Sequence, residues 1–296
     1  MRPDSLRPAT SRAATAATPK LEGRLSKGEK RNRKRLAEVG AVFEITPTPR
    51  TAGDVMAKSS DTTTAAPVAP GKWVTASVAD DAATVIGQVF DEAHRRDPER
   101  DRTWVALVDG NNHQIDRIAA EAAARQVAIT VVVDFVHVLE YLWDATWCFH
   151  DEGDPEAQTW VHDKAIDVLD GKARLVAAAI RRKATALALS TTKRKGADKA
   201  ATYLANKAPY LDYPTALQAG WPIASGVIEG TCRYLVADRM DITGARWSVD
   251  GAEAVLKLRA VRSNGDLDTY WNYHLAQERQ RVHETLYTNN TIPLAA

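Results

Sequence analysis

Between residues 103 and 134 the apolar and polar positions follow a strand–helix–strand order. Thr103-Trp104-Val105-Ala106-Leu107-Val108 is a mostly apolar run that ends at Asp109-Gly110. Gln114 to Gln126 spaces its apolar residues as a helix does, and Val127 to Val133 is a second apolar run, closed by Asp134. Two such runs joined by a helix predict a buried parallel βαβ unit. Upstream, Ala37 to Thr46 predicts a short strand, and Pro47 to Gly71, rich in Pro, Thr, Ala and Ser, a linker. Val85, Ile86, Val89 and Phe90 fall at helical spacing, with Asp80 or Asp81 available as the cap and Pro98 closing the helix.

Downstream the pattern becomes almost entirely helical, from Val138 to Asp212. Leu139, Leu142, Trp143 and Thr146 share one face, as do Trp160, Ile166 and Leu169, while Gly171 and Gly196 mark breaks. The alanine-rich stretch Ala173 to Leu189 has strong helix propensity. Pro214 and Pro222 bracket a turn before Glu229. Gly226 to Met240 and Gly251 to Arg262 then predict two helices on either side of Asp241 to Trp247.

The 296 residues suffice for one large domain or two small ones. Cys148 and Cys232, far apart in sequence, support neither a disulfide framework nor a cysteine-based zinc site. No apolar run approaches the roughly 20 residues that span a bilayer, and no secretory signal precedes the first polar segment. A cytoplasmic protein without membrane partners is expected. The net charge of +1 hides basic clusters: Lys27 to Arg35 holds six basic residues in nine positions, among them Lys30, Arg31, Arg33, Lys34 and Arg35. Arg181-Arg182-Lys183 and Lys193-Arg194-Lys195 are smaller ones. Such clusters fit phosphate-backbone contacts; a solvated face is the plain alternative.

Open α/β sheets gather ligands at the carboxyl ends of their strands, which makes the strand-end acids candidates for holding a metal. Asp109 is the better ligand, because Gly110 lets the backbone turn sharply there. Asp134 precedes Phe135-Val136-His137, where it can cap a helix and hold the His137 imidazole. Glu229 lies far downstream in Ser225-Gly226-Val227-Ile228-Glu229-Gly230. Two-metal phosphodiester chemistry needs about three converging carboxylates and no dense ligand motif, which suits a chain without His-rich or Cys-rich clusters.

Asp109-Gly110, a helix, and then Asp134-Phe135-Val136-His137-Val138-Leu139-Glu140-Tyr141-Leu142 resembles the insertion-sequence transposases of the ISKra type. These belong to the DDE, RNase H-like superfamily and are related to the Mutator-like enzymes. Gly226 to Gly230 is similar to the family's third-acid motif, and Met240 to Trp247 to its conserved tail. The resemblance spans residues 1 to about 283. It implies an α/β fold: an RNase H-like mixed sheet core, incomplete at the N-terminus, with a large all-helical insertion. The expected divisions are 1–72, a basic, partly disordered segment with a short strand and linker; 73–138, the first part of the core; 139–221, the helical insertion; and 222–296, the rest of the core with C-terminal helices.

By that resemblance Asp109 is the second catalytic acid and Glu229 the third, their carboxylates sharing Mg²⁺ or Mn²⁺ ions, while Asp134 and His137 form a structural Asp-x-x-His element. The implied partners are DNA, as element ends and target, and further copies of the chain, in a bacterial, nucleoid-associated setting with no small-molecule cofactor. Lys30, Arg31, Arg33, Lys34, Arg35, Arg239, Arg246 and Trp247 are the candidate DNA contacts. Trp247 offers a stacking face, although tryptophan is usually buried. The family's first acid, in an Asp-Gly segment leading into a Met-Arg-Pro-like sequence, has no counterpart before Met1-Arg2-Pro3-Asp4. This chain is therefore expected to be a fragment that neither cleaves nor joins DNA. The alternatives are an inactive DNA-binding or oligomerising remnant, and an unrelated α/β metal-dependent nuclease or phosphatase that uses Asp109 with Asp134.

Overall fold

The computed structural model describes residues 35–57, 67–242 and 245–287. In chain order its elements are β1 (Glu38–Val42), α1 (Ala52–Met56), β2 (Trp73–Ser77), α2 (Ala82–Arg96), β3 (Trp104–Val108), α3 (Asn112–Ala124) and β4 (Ile129–Val133). There follow α4 (Phe135–Thr146), α5 (Pro155–Leu169), α6 (Ala173–Ala186), α7 (Lys195–Lys207), α8 (Tyr213–Gln218) and α9 (Gly226–Thr231). A π-helical segment (Cys232–Ala237), α10 (Asp238–Met240), α11 (Val249–Ser263) and α12 (Leu267–Val282) complete it. The protein is α/β and mostly helical, and the described strands form two sheets of two strands each. No described helix is long and apolar enough to cross a membrane.

The chain divides into two compact units. One comprises residues 1–43, 71–93 and 228–296; the other comprises 44–70 and 94–227. The expected first part of the core, 73–138, is thus shared between them.

In the first unit β1 and β2 pair antiparallel, with Glu38 opposite Ser77 and Val42 opposite Trp73. Gly40 sits where a Cβ would fall 2.4 Å from Val89 Cγ2, so the missing side chain lets α2 lie close on β1. Val74, Ala76 and Val78 pack with Leu235, Ala252, Leu256 and Ala260 into one buried cluster. The polar ends of α11 attach it to β2. Asn264 accepts from the Val74 N–H at 2.8 Å and donates to the Val74 carbonyl at 3.1 Å, which satisfies backbone groups of that strand that β1 leaves unpaired. Glu253 accepts from the Ser77 hydroxyl and the Val78 N–H.

In the second unit β3 and β4 pair parallel, with Val108 opposite Val133 and α3 as the crossover, as the apolar pattern predicts. Burial is lower than predicted: only Val108, Val132 and Val133 of these strands are buried, and Thr130 is exposed. The helical stretch is confirmed as α4 to α7. Asp154 caps α5 ahead of Pro155, and Gly171 (φ 81°) makes the left-handed turn into α6. Gly196 marks the break between α6 and α7. It lies in the first turn of α7, where a Cβ would come within 2.3 Å of the Asp144 carbonyl oxygen, so it permits α7 to approach α4. Tyr213, fully buried, donates its hydroxyl to the Val133 carbonyl at 2.8 Å and meets Phe135 edge-on. It thereby anchors the end of β4.

Candidate functional site

β3 and β4 end side by side, so Asp109 and Asp134 follow neighbouring strand ends, and the Asp134 N–H donates to the Val108 carbonyl at 2.7 Å. Their surroundings separate their roles. Asp109 is exposed, and one carboxylate oxygen accepts the Asn111 N–H at 2.8 Å. The other has no partner among the described residues. Gly110 turns the chain with φ 89°; a Cβ there would fall 2.7 Å from the Tyr203 hydroxyl. That hydroxyl donates to the Asp109 carbonyl at 3.1 Å, and the Tyr203 ring stacks on Tyr141 with centroids 3.8 Å apart. Burial, with Tyr141 and Asp109 beside it, raises the Tyr203 phenol above its ordinary range.

Asp134 is 3% exposed. One oxygen caps α4 by accepting the Val136 N–H at 2.7 Å; the other accepts the Ser225 N–H at 2.7 Å and the Ser225 hydroxyl. Both oxygens are committed to hydrogen bonds, which leaves little for a metal. The expected contact with His137 is not made. His137 lies in the first turn of α4, with its side chain turned outward, 39% exposed, and pairs with Glu140 at 3.0 Å. The Asp134 carboxylate is taken up by the Val136 N–H and Ser225, so the imidazole does not bond to it.

Glu229 lies on α9, exposed, with no hydrogen bond or ion pair among the described residues. The backbone after it winds as a π-helix, an irregularity common near functional positions. Leu235 anchors this segment in the core of the first unit. Arg259 donates to the Leu235 carbonyl at 3.1 Å and to the Tyr234 carbonyl, supplying partners where the helical ladder changes step. The Cys232 thiol is pushed up by burial, with the Glu229 charge adding to the effect. The structure therefore brings Asp109 and Asp134 together in one unit and sets Glu229 in the other.

Of the candidate DNA contacts, Lys30, Arg31, Arg33 and Lys34 lie outside the described residues, and Arg35 begins them. The Arg239 guanidinium sits 5.6 Å from the centre of the Trp247 ring, and Trp247 is 37% exposed, not buried in the core as tryptophan usually is. Arg246 is exposed. The two smaller basic clusters are partly consumed in the helical region. Arg194 pairs with Asp198, and Lys183 lies over the Phe149 and Trp160 rings while meeting His150 Nε2 at 3.2 Å.

Sequence reading missed two groups. Donor atoms of His150, Asp154 and Glu156 lie within 4.8 Å of one another. His150 Nδ1 is already bonded to Asp154 at 3.0 Å, however, and the Lys183 amine opposes a cation there, so this is a closed polar network. The second is Tyr203 with Lys207, one turn apart on α7, which meet the loop after β3; the i, i+4 spacing places them on one face but cannot show which loop it covers. A concavity of about 690 Å³ lined by Arg50, Asp54, Leu169, Lys172 and Pro214 contains none of the candidate site residues. Comparison with known protein families, characterised proteins and solved structures finds no match.

Among these residues Asp109 fits a hard divalent cation, with an exposed carboxylate oxygen on a rigid strand end, and Glu229 offers a second uncommitted carboxylate. Asp134 does not fit. With both oxygens hydrogen-bonded, it would have to abandon the α4 cap to coordinate.

Proposed function

We propose that this chain belongs to a DDE-type DNA transposase with an RNase H-like core, in which Asp109 is a ligand acid for Mg²⁺ or Mn²⁺ and Glu229 a second candidate ligand acid. The observation that carries the reading is the parallel β3–α3–β4 unit, with an exposed, uncommitted Asp109 at its carboxyl end and a neighbouring Asp134 fully engaged in backbone support. That division between a ligand acid and a structural acid matches the roles the motif resemblance assigns to the two residues. Asp109 and Glu229 are the residues that would hold a metal, and such a metal would supply activation of water or a 3′-hydroxyl for in-line attack on a phosphodiester. The chain's own part is to fix the acids. Gly110 turns the loop, Asn111 N–H orients one Asp109 oxygen, and Tyr203 ties the loop to α7.

DNA is the proposed partner, with Arg239, Arg246 and Trp247 contributing contacts. Phosphate contacts make the affinity fall with salt, and an exposed indole face accepts a base. The reading is tested by titrating Mn²⁺ into the protein with electron paramagnetic resonance, and duplex DNA by fluorescence anisotropy at two salt concentrations. Mn²⁺ binding weakened in Asp109→Asn and in Glu229→Gln, but not in Asp134→Asn, supports it. Loss in Asp109→Asn and in Asp134→Asn, with Glu229→Gln unaffected, would transfer the chemistry to the Asp109–Asp134 pair and end the transposase assignment.

A further inference from the structure

Lys207 is the last residue of α7 and is only 6% exposed. Its amine reaches the side-chain oxygen of Asn112, an exposed residue at the start of α3. The buried stem thus delivers the ammonium to the loop that follows β3, three residues beyond Asp109. Asn112 is a neutral partner. No carboxylate among the described residues lies within ion-pair distance of Lys207, although other cations of this helix, Arg194 and Lys199, have theirs. A lysine packed to this degree is ordinarily matched by an acid. One turn earlier Tyr203 ties the same loop, so the ammonium is fixed relative to it by two contacts from one helix.

We infer that Lys207 is an anion-binding residue at the carboxyl end of β3, and that its ligand is a phosphate group. An ammonium with spare N–H donors, held by a residue three positions along the chain from an exposed carboxylate suited to a divalent cation, would give a metal-bound phosphate a second contact through the amine. The identification of that phosphate as part of a DNA strand rests on the function proposed above; the phosphate site itself does not. In this role Lys207 holds a non-bridging oxygen and positions the phosphate. Asn112 holds the amine in place when the site is empty.

The test is a titration followed by ¹H–¹⁵N NMR at the Gly110 and Asn112 amides, with inorganic phosphate as one probe and a short DNA duplex as the other. Inorganic phosphate should shift both amides saturably. Lys207→Met should weaken the apparent affinity about tenfold, and Lys207→Arg should restore most of it. Asn112→Ala, at an exposed position, should weaken binding a few-fold without loss of fold. With the duplex, Lys207→Met should also reduce the slope of log affinity against log salt by about 1. Shifts with phosphate but none with the duplex would keep the anion site and remove DNA as its source. Shifts absent for both probes, or unchanged in Lys207→Met and Asn112→Ala, would overturn the inference.

Discussion

Removing the Asp134 carboxylate tests the assignment of the two strand-end acids. Asp134→Ala deletes the cap on α4, at about 1 kcal/mol. It also strips the acceptor from the Ser225 N–H and hydroxyl, two bonds to a charged group at about 1.5–3 kcal/mol each before non-additivity. Because Asp134 is 3% exposed, solvent does not replace these bonds freely. A total of about 4–7 kcal/mol before non-additivity is a large share of the roughly 5–15 kcal/mol by which domains are stable. Asp134→Asn keeps the oxygen that caps Val136 but turns an N–H₂ toward the Ser225 donors, so about 2 kcal/mol is expected. Urea unfolding followed by far-ultraviolet circular dichroism reads this as a midpoint lowered by about 1 M or more for the alanine variant, given slopes of about 1–3 kcal/mol/M. Ser225→Ala should reproduce only the smaller, hydroxyl part. An unchanged midpoint in Asp134→Ala would refute the structural assignment.

Gly196→Ala should destabilise the helical region by about 2 kcal/mol in the same assay, because the new methyl meets the Asp144 carbonyl oxygen at 2.3 Å; a neutral result would mean that α7 does not pack as described. The Tyr203 phenol, raised above its ordinary range, should ionise above about pH 10 in ultraviolet titration. Since its folded pKa exceeds its unfolded one, the stability it contributes is full below about pH 10 and lost as pH rises beyond it, and Tyr203→Phe should remove that alkaline loss. Asp97 is held below the usual carboxylate range, first by the Trp104 indole N–H at 2.8 Å and then by backbone N–H groups. Its contribution is therefore present above about pH 4 and lost as pH falls through the lowered folded value, and Asp97→Asn should flatten acid unfolding over that range.

Much of the second unit was legible in the sequence because its signals are local. Apolar runs closed by Asp gave β3 and β4, helical spacing gave α4 to α7, and Asp134 before a helical run gave a cap that the structure contains. What was not legible depends on long-range packing. Gly196 marks a helix break in sequence and proves to be a close-approach position as well, because the deciding contact comes from Asp144 on another helix. His137 could not be assigned a partner from spacing, since the Glu140 carboxylate competes with Asp134 for the imidazole and lies on its own face of α4. The π-helical step after Glu229 is set by the carbonyls that Arg259 satisfies, a residue some two dozen positions away. Lys207 carries no local mark at all, and its importance appears only when α7 is placed over the loop after Asp109.

The central claim is that Asp109 is a divalent-metal ligand, and iron-mediated backbone cleavage tests it most directly. Fe²⁺ takes the place of Mg²⁺, and ascorbate with peroxide generates radicals that cut the polypeptide beside the ion. The account predicts a cut near residue 109, suppressed by excess Mg²⁺ and by Asp109→Asn. No cleavage near residue 109, or cleavage there that survives Asp109→Asn, would contradict it.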